Sequence, residues 1–460
     1  MNNKDNTIYK KALLLAVPMM IQNGITNAVG LVDNIMVGSL GTESMTAVSI
    51  VCQLMFVFNL TIFGGLSGPG IYGAQYYGQG NEKGVKNIFR LKLWICVLCV
   101  ILGALVFWFA GEALIMRYLR GDSEGIDKKL TLEYGLRYLH IMMLSLAPFA
   151  LTQVYAGSLR ETGESVKPMV AGICSVVVDI VLNYVLIYGK LGAPALGVRG
   201  AAIATVIARV VELCVIVIWA HAARDKHTFL QKIYSTVLVP ADMTKKVIKK
   251  GMPIFFNEPL WAGGIAMLTQ CYSLRGLSVV AGMNISNAIC NLLNVVFVAM
   301  GNAVGIIIGQ TLGASEYDKA KKDSVKLMWF TGAMCAILTL ILVSISGAFP
   351  RLYDTSAQVR EYGTIFIIIT ALFFPVQGFL NALYFTLRSG GKTVITFLFD
   401  SVYTWSVVIP IALVLIKFTG INIFGIYAII QALDFIKLLV GYTLIKKGVW
   451  ITNLVEEPRA

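Results

Sequence analysis

The sequence predicts an all-α integral membrane protein with twelve transmembrane helices in two pseudo-symmetric six-helix lobes. Three observations carry this prediction. Of the 460 residues, 57% are hydrophobic and only 14% charged, with a mean hydropathy of +0.74, whereas a soluble domain is typically about a quarter charged. The basic residues gather in alternate connections between apolar runs, and the second half of the chain repeats the first at a nearly constant offset.

A helix needs about 20 largely apolar residues to cross the hydrocarbon core of a bilayer. Runs of this kind lie at about 12–37, 45–71, 91–111, 132–158, 168–188 and 197–221 in the first half. In the second half they lie at about 251–274, 278–308, 325–348, 362–387, 393–416 and 422–445. The polar start Met1–Lys11 runs directly into a full-length span, so no cleavable signal peptide is expected.

The connections sort by charge. Lys10 and Lys11, Lys83 to Lys92, Arg160 and Lys167, Arg224 to Lys250, Lys319 to Lys326, Arg388 and Lys392, and Lys446 to Arg459 all fall on one side. The alternate connections hold far fewer, among them Arg117, Arg120, Lys190, Arg275 and Lys417. Basic residues stay cytoplasmic during insertion, which places both termini and the 223–250 connection inside. The net charge of +13 is thus a topology signal, and no nucleic-acid partner is implied. The eight cysteines all sit in apolar stretches without metal-ligand spacing and read as small buried hydrophobes.

Sliding the chain by 235 residues superimposes Pro18 on Pro253, Gly41 on Gly276, Gln75 on Gln310 and Gly78 on Gly313. Further along, an offset of 228 pairs Gln153 with Asn381, Arg160 with Arg388, Gly163 with Gly391, Gly197 with Gly425 and Arg209 with Lys437. Each half has an even number of spans, so the halves are parallel repeats, the arrangement expected around a central substrate site. The expected domains are an N-lobe at 1–222, a cytoplasmic linker at 223–250, a C-lobe at 251–447 and a cytoplasmic tail at 448–460. The chain is expected to act as a monomer in the plasma membrane.

A charge at mid-bilayer costs about 2.5–3.5 kcal/mol on insertion scales, so each embedded acid needs a reason. The first helix carries Asp33, with Gln22 and Thr26 on the same face. The fifth carries Asp179 with Ser175 one turn earlier, and the sixth Thr205. These oxygens are predicted to converge on one site, either a protonatable carboxyl or a sodium cage at Asp33, Asp179 and Thr205. The seventh helix places its acid at Glu258, the eighth has Asn284, Asn287, Asn291 and Asn294 in one stripe, and the eleventh adds Asp400 with Tyr403. Asparagine stripes also glue membrane helices together, so cleft lining and helix packing both remain open for this one. Arg209 with Glu212 and Lys437 with Asp434 are expected to be intrahelical ion pairs. No phosphate-binding loop, nucleophile elbow or metal constellation is present, so no enzyme and no cofactor is expected, and work must come from an ion gradient.

Four stretches carry a family resemblance: AVPMMIQNGITNAVGLVDNIMVGSLG, the SLRETGES and TLRSGGKT segments after helices four and ten, and LNYVLIYGKLGAPALGVRGAAIATVIARVVE. Over essentially its whole length the chain resembles the bacterial multidrug and toxin extrusion (MATE) transporters, with NorM-like features. The resemblance implies two lobes forming a V-shaped cleft, alternating access, and export of amphipathic, often cationic compounds against H⁺ or Na⁺. Under it Asp33 matches the first-helix coupling acid, Asp179 and Thr205 its partners, and Glu258 the seventh-helix acid of the NorM-like branch. Ser175 stands where that motif usually has Asn, and Gln377 and Asn381 stand in the tenth helix where that branch has an Asp. A lipid-linked oligosaccharide flippase of the same superfamily is the alternative, but its cleft calls for a strong basic cluster, whereas acids dominate here.

Overall fold

The computed structural model describes residues 3–119, 127–223 and 227–456, without the side chains of residues 3–6 and Leu31. Arg120, Arg224, Lys226 and Arg459, assigned to connections above, lie outside the described residues, as does the side chain of Lys4. The described chain is helical nearly throughout. We label the helices α1 (Asn3–Gly38), α2 (Thr42–Gln79), α3 (Glu82–Tyr118), α4 (Lys128–Glu161), α5 (Val166–Tyr188) and α6 (Val198–Ala222). The second half continues with α7 (Ala241–Ser273), α8 (Leu277–Gly313), α9 (Tyr317–Ile345), α10 (Ala357–Ser389), α11 (Thr393–Phe418) and α12 (Ile423–Lys446). Eleven of them are long and apolar enough to cross a membrane. The exception is α7, which starts inside the expected linker and carries Lys245, Lys246, Lys249, Lys250 and Glu258 along with Pro253 and Pro259.

Interruptions of the helices have local causes. The 3₁₀ turn Met143–Ser145 splits α4 just before Pro148, which has no N–H to offer the carbonyl one turn back. Helix α11 opens into two π turns, Leu398–Val402 and Thr404–Val408, ahead of Pro410. Such π turns concentrate at functional sites. Helix α12 breaks at Leu433, whose carbonyl accepts a hydrogen bond from the Tyr403 hydroxyl at 3.0 Å.

The repeat is written into the backbone. Gly41 and Gly276 turn between the first two helices of each half with φ of +115° and +120°, and Gly163 and Gly391 follow α4 and α10 with φ of +94° and +73°. Side chains rarely tolerate these angles, so each pair keeps glycine at the same step of the fold. Gln75 and Gly78 meet their counterparts Gln310 and Gly313 reciprocally: a Cβ on Gly78 would strike the Gln310 carbonyl, and one on Gly313 the Gln75 carbonyl.

Packing divides the chain into two compact units, residues 21–73 with 82–246, and residues 1–20 with 74–81 and 247–460. These boundaries differ from the expected lobes because the starts of α1 and the end of α2 bury their side chains in the second half. Leu15 and Met19 of α1 join Ile307 and Ile308 of α8, Leu387 of α10 and Ile445 of α12 in one apolar core. A further core joins Tyr272, Phe366 and Tyr427. In the other unit Phe89 packs edge-on against Tyr155, with ring centroids 5.0 Å apart.

The segment after α12, expected to be a tail, is a strap. Trp450 is 0% exposed and belongs to the same core as Leu15. Gly390 leaves room for its carbonyl, and Gly391 lies under Leu454. The Gln75 amide donates to the carbonyls of Ser389 (2.8 Å) and Thr452 (3.3 Å) and accepts from the Leu454 N–H at 2.7 Å. The Asn453 amide reaches the Ser315 hydroxyl at 3.1 Å. Replacing a buried tryptophan by alanine costs about 3–5 kcal/mol. Trp450→Ala is therefore expected to lower the thermal unfolding midpoint of the detergent-purified protein markedly, whereas alanine at exposed Val449 leaves it nearly unchanged.

Candidate functional site

Each unit holds a cluster of acids and bases drawn from several of its helices. In the unit of residues 21–73 and 82–246, α1 supplies Asp33, α5 supplies Asp179 and Asn183, and α6 supplies Thr205, Arg209 and Glu212. Asn183 sits one turn beyond Asp179, so both project from one face of α5. Its amide donates to Asp33 at 2.8 Å and to Asp179 at 3.4 Å. The two carboxyls lie within hydrogen-bonding reach of each other, Thr205 faces Asp179, and Arg209 is the cation that bears on both acids. Asp179 is 7% and Asn183 1% exposed. One side-chain oxygen of each is buried with no partner.

Arg209 pairs with Glu212 at 2.9 Å, as its spacing predicts. Arg160, assigned from sequence to a cytoplasmic connection, reaches inward to hold Gln22 at 2.7 Å and bears on Glu212. Gln22 is thereby engaged, and its amide rests against Gly172, where a side chain would intrude. Thr26 is exposed and donates back to the Gln22 carbonyl at 2.9 Å. Ser175, expected beside the acids, instead donates to the Ala208 carbonyl at 2.9 Å and ties α5 to α6.

In the other unit α7 supplies Asn257 and Glu258, α10 Arg388, Gln377 and Tyr384, α11 Asp400, and α12 Asp434 and Lys437. The Asn257 amide nitrogen donates to Asp400 at 2.8 Å, and its oxygen accepts from the Ser401 hydroxyl at 2.7 Å, which fixes the amide's orientation. Asp400 lies in the first π turn of α11. Arg388 and Asp400 are the charges that bear on Glu258, while Lys437, Asp434 and Arg388 bear on Asp400. Lys437 pairs with Asp434 at 2.6 Å, again as predicted, and Gln377 donates to the same carboxylate.

Several candidates from the second half serve other contacts. Tyr403 bonds the Leu433 carbonyl, and the Asn381 carboxamide oxygen packs against Gly301. Asn284, Asn287 and Asn291 are exposed and Asn294 half-buried, with Asn294 donating to Asn291 at 3.3 Å. The stripe therefore lies on an open face of α8. Unpaired amides are not tolerated facing lipid, so this face fits a wet surface.

A common charge plan underlies both clusters. Each draws one acid from the first, the fifth and the sixth helix of its half: Asp33, Asp179 and Glu212, then Glu258, Asp400 and Asp434. Each sets against them two bases at repeat-equivalent positions, Arg160 and Arg209, then Arg388 and Lys437. Three carboxyls facing two bases leave each cluster one positive charge short when all are ionised. Among the described residues no group of three or more His, Cys, Asp or Glu could hold a metal ion. The all-oxygen set at Asp33, Asp179, Asn183 and Thr205 suits a proton or a hard monovalent cation. Sequence reasoning passed over Asn183, Asn257, Arg160 and Arg388; the one-turn step from Asp179 and the repeated arginine were the available signals.

Comparison with known proteins agrees with this architecture. The MatE family model matches residues 18–185 and again 253–414, two segments whose starts are 235 residues apart. The chain is 24% identical over 456 residues to the probable multidrug resistance protein YoeA of Bacillus subtilis, covering 98% of this chain and 96% of that one. It is 29% identical over 373 residues to the probable multidrug resistance protein NorM of Pasteurella multocida, covering 79% and 77%. Among solved structures it shares the fold of an aspartate mutant of the Vibrio cholerae MATE transporter VcmN, with a TM-score of 0.85, 17% identity, and coverage of 98% and 99%. The same holds for a MATE protein in complex with MaL6, with a TM-score of 0.81, 19% identity and 97% of each chain covered. Two tandem copies of one family pattern, one per half, make this chain a member of the MatE family of multidrug efflux transporters, a membrane carrier and not an enzyme.

Proposed function

We propose that the protein exports organic cations and amphipathic drugs in exchange for an inward-moving H⁺ or Na⁺, by alternating access, in the plasma membrane with both termini cytoplasmic. The observation that carries this reading is the Asp33–Asn183–Asp179 arrangement, two adjoining carboxyls under one shared amide donor in an apolar helix bundle. Two adjacent acids cannot both stay ionised cheaply away from water, so the pair favours an added positive charge. A proton can sit between the carboxyls. A sodium ion can use the same oxygens together with the unpartnered oxygens of Asp179 and Asn183.

Exchange follows from exclusion. With the coupling ion bound, the cluster is neutral and holds no organic cation. With the ion gone, the carboxylates attract cationic cargo. Each ligand thereby lowers the affinity for the other, which is the condition for exchange without leak. The relatives named as multidrug resistance proteins support a broad cargo class for this chain. Glu258 and Asp400 offer a second place for a cation in the other unit.

Asp33→Asn removes the titrating carboxyl but keeps its shape and hydrogen bonding. Ion-driven efflux of a fluorescent organic cation from proteoliposomes is expected to fall at least about tenfold, the effect of about 1.4 kcal/mol, with membrane yield and unfolding midpoint retained. Efflux at the normal rate with the same ion dependence would sink the reading. Glu258→Gln is expected to weaken ion-driven efflux without abolishing it, because the first cluster stays intact; unchanged Na⁺ and pH dependence would make Glu258 a packing element.

Asn183→Leu removes the amide donor that Asp33 and Asp179 share. Loss of a hydrogen bond to a buried charged group costs about 1.5–3 kcal/mol, to be read as a lowered unfolding midpoint. In the Asp33→Asn background the same change is expected to cost clearly less, because the charge it served is gone. Additive effects in this cycle would mean that Asn183 acts independently of Asp33.

A further inference from the structure

We propose that residues 228–238, between α6 and α7, form with α3 a site for one anionic glycerophospholipid, its phosphate in a cavity of this segment and an acyl chain along α3. The proposal stands apart from the transport reading. It starts from how the segment is held. Phe229, Leu230 and Ile233 are buried against the unit, and the Phe229 ring lies 6.0 Å from Phe89. Two side chains one turn apart on α3 then fasten it: Arg90 donates to the Ile233 carbonyl at 3.0 Å, and the Trp94 indole donates to the Val237 carbonyl at 2.9 Å. The segment is therefore a built element seated on the end of α3.

Beside these bonds lies a cavity of about 540 Å³, lined by His221, Gln231, Lys232, Tyr234 and Ser235. A volume of this size suits a small-molecule headgroup. Its lining carries the Lys232 ammonium and the Gln231 amide, while the Ser235 hydroxyl is spent on the Lys232 carbonyl at 2.8 Å. The His221 ring stacks on Tyr234 at 5.8 Å, and the Tyr155 hydroxyl bonds both, which holds the aromatic wall in place. Lys232 sits in the left-handed region with φ of +53°, where non-glycine residues are uncommon. Lys83, Lys86 and Lys167 lie on the same ends of α3 and α5. The nearby Glu82 carboxylate is engaged by the Thr228 hydroxyl at 2.6 Å. Lys232 is the one charged side chain of the lining, so the cavity favours an anion.

One turn beyond Arg90 an apolar stripe runs down α3. Trp94, Val97, Leu98, Ile101, Leu102 and Leu105 are all exposed, and their spacing of three and one puts them on a single helix face. At 1.5 Å per residue this stripe is about 16 Å long, comparable to an acyl chain within one leaflet. Tyr234, Val237 and Leu238 of the segment are exposed at its upper end, the interfacial position that aromatic side chains favour. A cation-bearing cavity and an exposed apolar stripe, fastened to one segment by Arg90 and Trp94, match a molecule with a phosphate at one end and a hydrocarbon chain at the other. Free phosphate would use only the first part, and a zwitterionic lipid would leave the cationic rim unmatched.

The test uses the full-length protein in nanodiscs with brominated phosphatidylglycerol or brominated phosphatidylcholine at equal mole fraction. Quenching of Trp94 is read as the difference between the wild type and Trp94→Phe. Phosphatidylglycerol is expected to quench about fivefold more effectively, the preference that one surface cation contributes. Lys232→Asn, whose side chain tolerates the left-handed backbone, is expected to erase the preference, and Lys232→Arg to keep it. Equal quenching by the two lipids, or a preference that survives Lys232→Asn, would leave only ordinary annular lipid and overturn the proposal. Loss of the preference on adding millimolar inorganic phosphate at constant ionic strength would also overturn it, by making the cavity a site for free phosphate.

Discussion

Inside a bilayer no water is present to solvate charge, and this governs how the protein is built. Ionised side chains at membrane depth must be balanced by other side chains, and every backbone break must find an internal partner. The break at Leu433 is satisfied by Tyr403. Lys92, fully buried, is matched by Glu161 at 2.6 Å. Arg209 and Lys437 are matched by acids one turn away. Against that background the two clusters differ from the rest of the interior, because each has three acids for two bases. Their imbalance leaves each cluster one positive charge short when all its groups are ionised.

The two halves keep the same frame while differing in their acids. Repeat-equivalent glycines hold the same unusual angles at Gly41 and Gly276 and at Gly163 and Gly391, and the bases recur at Arg160 and Arg388. The acids do not recur: at the repeat offsets Asp33 corresponds to Leu268, Asp179 to Val407, and Asp400 to Gly172. Gly172 packs on the amide of Gln22 much as Asp400 meets the amide of Asn257. A backbone turn admits few residues, whereas an acid can shift along a helix by one or two turns and still reach the same bases. The scaffold is therefore duplicated and the charge placement individual to each half.

Chain outside the spans is also structural. The strap after α12 buries Trp450 and occupies both faces of the Gln75 amide, so the end of α2 is held by the second half of the chain. The segment before α7 is fastened by Arg90 and Trp94. Both are short stretches without strong periodicity, which hydropathy alone assigns to solvent.

Amino-acid order alone determined the helix count, the repeat and the acids. Apolar runs have one solution in a bilayer, the register between halves is a property of the order itself, and a charge within a span is conspicuous in any setting. The pairs Arg209–Glu212 and Lys437–Asp434 were equally legible, because one helical turn separates their members. What only the tertiary structure decided is which distant groups meet. Asn183 bridges acids from two helices, Arg160 and Arg388 turn inward from helix ends, Ser175 spends its hydroxyl on α6, and the asparagines of α8 lie on an exposed face. Helix rotation and tilt are set by the packing of whole faces, through many weak contacts spread over distant residues, and no local pattern in the chain records their sum.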